Sequence, residues 1–188
     1  MSKPNLTICI PTKTEMCTHT VMSLMALLQS NELKKRVNIL YYISAGQSDL
    51  PKTRSELCHN WYKSATEKDY FMFLDSDQTF EAEDILKCLS YIDMADVVCG
   101  VYRKGSGGVT SQPKDLVSFH INGFGELYYG ATGFMLITYK ILDTIAKNLQ
   151  LVQTKLDEYI YPFFMERIVN EPEIGRTNIW LSEDFSFT

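Results

Sequence analysis

Phe71-Met72-Phe73-Leu74-Asp75-Ser76-Asp77-Gln78-Thr79 is the stretch on which the reading of this chain turns. Four large apolar residues in succession predict a buried strand, and that strand ends on two carboxylates one serine apart. Burying either charge without a partner would cost several kcal/mol, so the pair belongs at the strand's carboxyl edge. Open α/β sheets keep their ligand crevice at that edge. Two neighbouring carboxylates repel unless a positive group lies between or beside them. A hard divalent cation carrying phosphate oxygens is the natural candidate for that charge.

On the amino-terminal side, short apolar runs alternate with helical patterns. Leu6–Ile10 is a strand stopped by Pro11. Thr20–Ser30 carries Val21, Leu24, Met25 and Leu28 at helical spacing, and Val37–Ile43 is a β-branched and aromatic second strand ended by Ser44-Ala45-Gly46. Lys52–Ser64 reads as a helix with Leu57, Trp61 and Ala65 on one face. Tyr70–Leu74 is the third strand, followed by a helix over Ala82–Tyr91 whose acidic start suits its dipole. Asp96–Tyr102 is a fourth strand. This alternation predicts an α/β fold with a parallel sheet and right-handed crossovers.

The pattern changes beyond that point. Gly105–Pro113 has the composition of a mobile loop, expected to order over a bound ligand. Short strands are expected at Leu116–Ile121, Glu126–Tyr129 and Phe134–Thr138, then a helix over Tyr139–Asn148. Tyr159–Met165 is aromatic and fits no single element, and a helix begins at Ser182-Glu183-Asp184-Phe185. One domain over 1–188 is expected, with a ligand-binding half at 1–104 and a second half at 105–188. The position of its last residue predicts a longer protein.

Composition narrows the function classes. With 188 residues, 45% apolar and 22% charged, the chain can bury a full core. A net charge of −5 with no basic stripe argues against a nucleic-acid partner. The five cysteines, Cys9, Cys17, Cys58, Cys88 and Cys99, lack metal-ligand spacing and read as reduced thiols. No signal peptide or membrane-length apolar run is present, so a cytoplasmic protein is expected. His19, His59 and His120 are isolated, and no local Ser-His-Asp or Cys-His motif accompanies them.

Several chemistries share an apolar strand ending in Asp-x-Asp. The pair could cap the following helix or a turn, although a cap needs only one carboxylate. A phosphate-loop ATPase would require GxxxxGK[ST] after an earlier strand, and the chain has none. Asp75-Ser76-Asp77-Gln78-Thr79 also matches the DxDxT signature of haloacid-dehalogenase-type phosphatases, with Asp75 as the phosphorylated nucleophile. That motif normally sits on the first strand, whereas here two βα units precede it.

Taken together, the motifs resemble those of nucleotide-sugar-dependent glycosyltransferases of the GT-A fold, close to family 2, over nearly the whole chain. Ile8-Cys9-Ile10-Pro11-Thr12 resembles the opening strand and its Pro-containing turn. This chain has Thr14-Glu15 where the family has Asn-Glu, and Ser44-Ala45 where its second strand ends in a uracil-reading Asp. Lys52-Thr53-Arg54-Ser55 resembles the segment whose Arg faces the nucleotide, and Asp75-Ser76-Asp77 corresponds to the family's DxD. Tyr129-Gly130-Ala131-Thr132-Gly133-Phe134-Met135 is similar to the glycine-containing segment beside sugar and acceptor, and Glu183-Asp184-Phe185 to an acidic pair at a helix start.

The resemblance implies a Rossmann-like single domain with a mixed, mostly parallel central sheet flanked by helices. It implies transfer of a hexosyl or deoxyhexosyl group from a nucleoside diphosphate sugar, UDP-linked, to a hydroxyl of a glycan or glycoconjugate, with inversion. Pro11, Thr12, Lys13, Ser44, Arg54, Asp75, Ser76 and Asp77 would then bind the nucleotide sugar. Asp77 would hold Mn²⁺ or Mg²⁺ directly, with Asp75 on the ribose or a metal-bound water. Gly130, Ala131, Thr132 and Gly133 would line the acceptor or sugar side. Asp184 would act as the base and Glu183 would orient the acceptor. A non-catalytic nucleotide-sugar-binding module is the remaining alternative.

Overall fold

The computed structural model describes residues 2–46, 48–102, 108–115, 123–155, 158–165, 167–171 and 176–181. Its centre is a five-stranded sheet built from β1 (Asn5–Pro11), β2 (Asn38–Ser44), β3 (Tyr70–Leu74), β4 (Val97–Cys99) and β7 (Phe134–Thr138). The strand order is β2-β1-β3-β7-β4. β1 pairs in parallel with both β2 and β3, while β7 runs antiparallel to β3 and to β4. The four strands of the alternating half therefore all point one way, as their βα spacing predicts.

β4 does not lie beside β3, because β7 separates them. Phe134, Met135, Leu136 and Ile137 are all buried, so β7 has apolar residues on both faces and takes a central place. β4 is also shorter than the run Asp96–Tyr102. Just beyond Cys99, Gly100 N–H donates to Phe134 O of β7 at 2.8 Å. The short strands β5 (Gln112–Pro113) and β6 (Leu127–Tyr129) pair with each other, as do β8 (Val152–Lys155) with β9 (Glu158–Ile160), and β10 (Arg167–Glu171) with β11 (Arg176–Leu181). The expected strand at Leu116–Ile121 and the helix start at Ser182 lie outside the described residues.

Helices α1 (Thr18–Gln29), α2 (Asn31–Arg36) and α4 (Ala82–Tyr91) contribute to one side of the sheet, and α3 (Leu50–Ser64) and α5 (Tyr139–Ala146) to the other. The two-residue period of the strands divides the core accordingly. Leu6, Ile8, Ile10, Met72, Leu74, Phe134 and Leu136 meet Leu27, Leu33 and Ile85 on the first side. Cys9, Phe71, Phe73, Met135 and Ile137 meet Leu57, Trp61, Leu142, Phe163 and Phe164 on the second. At α2, Ser30 caps the start and Lys34, Lys35 and Arg36 occupy the last turn, where cations complement the dipole.

α1 departs from its apolar pattern. It buries Thr20, Ser23 and Leu27, while Val21, Met25 and Leu28 remain exposed. The inward hydroxyls explain the rotation. Thr20 Oγ1 donates to Ser76 O at 3.0 Å, and Ser23 Oγ accepts from Phe80 N–H at 3.1 Å. Both bonds run to the segment between β3 and α4, so polar stitching to that segment outweighs burial of the methionine and valine side chains.

Candidate functional site

The carboxyl ends of β1, β2 and β3 share one edge of the sheet, and their turns are tied together there. Pro11 and Ser44 are register partners at the ends of β1 and β2. Thr12 N–H donates to Ser44 O at 2.8 Å, and Gly46 N–H donates to Lys13 O at 3.0 Å. Thr12 Oγ1 closes its own turn on Glu15 O at 2.6 Å, which accounts for its burial. Lys13 is exposed. Next along the edge, Ser76 O accepts from Cys17 N–H at 2.8 Å as well as from Thr20, fixing the loop after β3 to the start of α1. Pro11, Thr12, Lys13, Ser44, Ser76 and Asp75 are thus gathered on one edge.

The two carboxylates of that loop have different surroundings. Asp77 is exposed, whereas the Asp75 side chain is 33% exposed. Asp75 follows Phe73 on the α3 side of β3 by the two-residue period. α3 begins at the Asp49 cap, whose Oδ1 accepts from Lys52 N–H at 3.1 Å, with Pro51 in the first turn. One turn later Arg54 enters the interior, only 3% exposed. Its guanidinium lies 6.0 Å from the Phe73 ring centroid, and Nη2 donates to Asp75 Oδ1 at 2.9 Å. The charge-assisted bond gives the buried Arg54 cation a partner in a setting where an unpaired charge would be costly.

The expected sugar-side segment is interior. Gly130, Ala131, Thr132 and Gly133 are all buried. Gly133 O accepts from Asp75 N–H at 3.0 Å, continuing the β3–β7 pairing by one residue. A Cβ on Gly133 would collide with Tyr102 Oη and Asp75 Oδ2, so the missing side chain leaves room for these two polar groups. At Gly130 the same space is filled by the Cys99 side chain. Ala131 N–H donates to Ser111 Oγ at 3.1 Å, which anchors the segment from the other side. Tyr102 is the residue that the sequence pattern misses: it reads only as the end of a strand, and its place beside Asp75 depends on long-range pairing.

Glu183 and Asp184 lie outside the described residues. Among the described residues, no group of three or more His, Cys, Asp and Glu side chains is placed to hold a metal ion. The edge nevertheless fits a hard cation that is completed by a substrate. Asp77 offers an exposed carboxylate, and Mg²⁺-type sites commonly use one or two carboxylates plus phosphate oxygens.

A separate cleft of about 650 Å³ lies at the other end of α3, among His59, Tyr62, Lys63, Glu158, Tyr159 and Tyr161. Its His59 Nδ1 accepts from Tyr161 N–H at 3.1 Å, and burial together with the Lys63 cation lowers the imidazole pKa while Glu158 opposes. Aromatic and charged side chains line this cleft. It lacks the paired strand-end carboxylates, and charge chemistry identifies the β3 edge as the stronger candidate.

No protein-family model matches the chain, and no curated protein matches it in sequence. Among the described residues, no helix is long and apolar enough to cross a membrane.

Proposed function

We propose that the chain is a metal-dependent glycosyltransferase domain of GT-A type, using a nucleoside diphosphate sugar, UDP-linked, as donor and a glycan or glycoconjugate hydroxyl as acceptor. The observation that carries the reading is the strand-end pair Asp75 and Asp77, with Asp75 bound to Arg54 and Asp77 left exposed at the carboxyl edge of the sheet. The mixed, mostly parallel α/β sheet is compatible with it.

In this reading Asp77 would hold Mn²⁺ or Mg²⁺, and Asp75, bound to Arg54, presents a fixed carboxylate on the nucleotide side. A cation bound there would supply Lewis-acid neutralisation of the departing diphosphate. The Pro11–Lys13 turn, joined to Ser44 and Gly46 by backbone bonds, offers a rigid wall for the nucleoside. Asp184 accepts the proton of the attacking acceptor hydroxyl, with Glu183 orienting the acceptor, and the displacement inverts the anomeric carbon.

The experiment is a donor-turnover assay on three proteins. Wild type should transfer sugar only with a divalent cation, Asp77→Ala should lose metal-dependent UDP binding, and Asp184→Asn should bind but not transfer. A phosphatase of the haloacid-dehalogenase type would instead form a phosphoaspartate at Asp75 and release phosphate without any acceptor. Binding without turnover in wild type would point to a non-catalytic module.

A further inference from the structure

Tyr102 stands where three separate features of the fold meet. Its backbone is fixed on both sides by Thr110: Tyr102 N–H donates to Thr110 Oγ1 at 3.3 Å, and Thr110 N–H donates to Tyr102 O at 3.0 Å. Its ring packs against the core on the α1 and α4 side of the sheet. Its hydroxyl reaches the point beside Gly133 that a Cβ would occupy, and Asp75 Oδ2 reaches the same point. The other oxygen of that carboxylate, Oδ1, is held by Arg54 from the α3 side.

A phenol placed beside a carboxylate oxygen has one favourable arrangement, with the O–H donating and the carboxylate accepting. We infer that Tyr102 is a positioning residue of this site, its hydroxyl donating to Asp75 Oδ2 so that Tyr102 and Arg54 hold the carboxylate through its two oxygens. Gly133 is then the residue that makes room for the contact. Held through both oxygens, Asp75 keeps a fixed orientation beside the exposed Asp77. The contact between Tyr102 and Asp75 stands on the geometry, while its consequence for the metal rests on the glycosyltransferase reading.

Two measurements separate these layers. The first is a double-mutant cycle of urea unfolding with Tyr102→Phe and Asp75→Ala, which needs no activity. The inference predicts that the two losses of stability are not additive, because each variant removes the same bond. It also predicts that Gly133→Ala is less damaging in the Tyr102→Phe background, where the hydroxyl no longer blocks the methyl. Additive losses, together with an undiminished Gly133→Ala penalty, would overturn the contact.

The second measurement is Mn²⁺ affinity by electron paramagnetic resonance with UDP present. Tyr102→Phe should weaken binding by about tenfold, the lower end of the range for a group that orients a carboxylate at the metal, with its unfolding still cooperative. Unchanged affinity in Tyr102→Phe beside a wild type that binds would overturn the positioning role. A wild type that binds no Mn²⁺ would sink the transferase reading, and the unfolding cycle would still decide the contact.

Discussion

Arg54 and Asp75 form an ion pair in which the cation is buried and the anion is not: the Arg54 side chain is 4% exposed, the Asp75 side chain 33%, and the two meet at 2.9 Å. The pair links the first turns of α3 to the end of β3, and Phe73 packs beneath the guanidinium. A charge held this way is expensive to desolvate and is retained only where its partner is well placed. The arrangement turns half of an acidic motif into a fixed structural anion and leaves Asp77 to meet solvent or a ligand.

Arg54→Ala should cost about 1.5–3 kcal/mol in urea unfolding, since it removes a charge-assisted bond to Asp75 together with packing on Phe73. Arg54→Lys should recover only part of that loss, because an ammonium lacks the planar fork of the guanidinium. Equal stability of the lysine variant and wild type would show that charge alone suffices.

The two glycines of the buried segment should separate stability from ligand binding. Gly133→Ala forces a methyl against Tyr102 and Asp75, whereas Gly130→Ala forces one against Cys99. Each should cost about 1–3 kcal/mol by overpacking. Nucleotide binding, followed by calorimetry, should fall in the Gly133 variant and persist in the Gly130 variant.

Thr20→Val and Ser23→Ala test the stitching of α1 to the loop after β3. Ser23→Ala leaves Phe80 N–H without its acceptor in a buried setting, at a cost of about 1–3 kcal/mol. Thr20→Val removes the bond to Ser76 O, at about 1 kcal/mol. Urea unfolding reads both, and a smaller loss at position 23 than at position 20 would contradict the burial argument.

The cysteines should give an alkaline limit to stability. Burial raises the Cys9 thiol to about 12, Cys88 to about 11, and Cys58 well above the ordinary range. A raised folded pKa leaves stability intact below the unfolded pKa of about 8.5 and removes it as pH climbs toward the folded value. Unfolding free energy should therefore decline from about pH 8.5 upward. Native alkylation should label exposed Cys17 first and reach Cys9, Cys58 and Cys88 only on unfolding.

Local pattern was enough for much of this fold. The runs at Leu6–Ile10, Tyr70–Leu74 and Phe134–Thr138 are short, apolar and bounded by turn residues, and each is a strand of the central sheet. The insertion of β7 between β3 and β4 was not legible, because antiparallel pairing across some sixty residues leaves no periodic trace. At α1 the apolar spacing misled, since two hydroxyls with fixed acceptors set the inward face. The strand-end carboxylates stood out because charge directly after four buried residues has few places to go. Tyr102 did not, because an aromatic residue near a strand end carries no mark of the carboxylate it faces.

The most direct test of the account is thermal unfolding of the wild type and Asp77→Ala with UDP and UDP-sugars, each with and without Mn²⁺. Ligand at a hundred times its dissociation constant should add about 2.7 kcal/mol of stability. The account predicts that wild type is stabilised only when nucleotide and Mn²⁺ are both present, and that Asp77→Ala is not. Stabilisation of the Asp77 variant equal to wild type, or none in wild type with any nucleoside diphosphate, would contradict it.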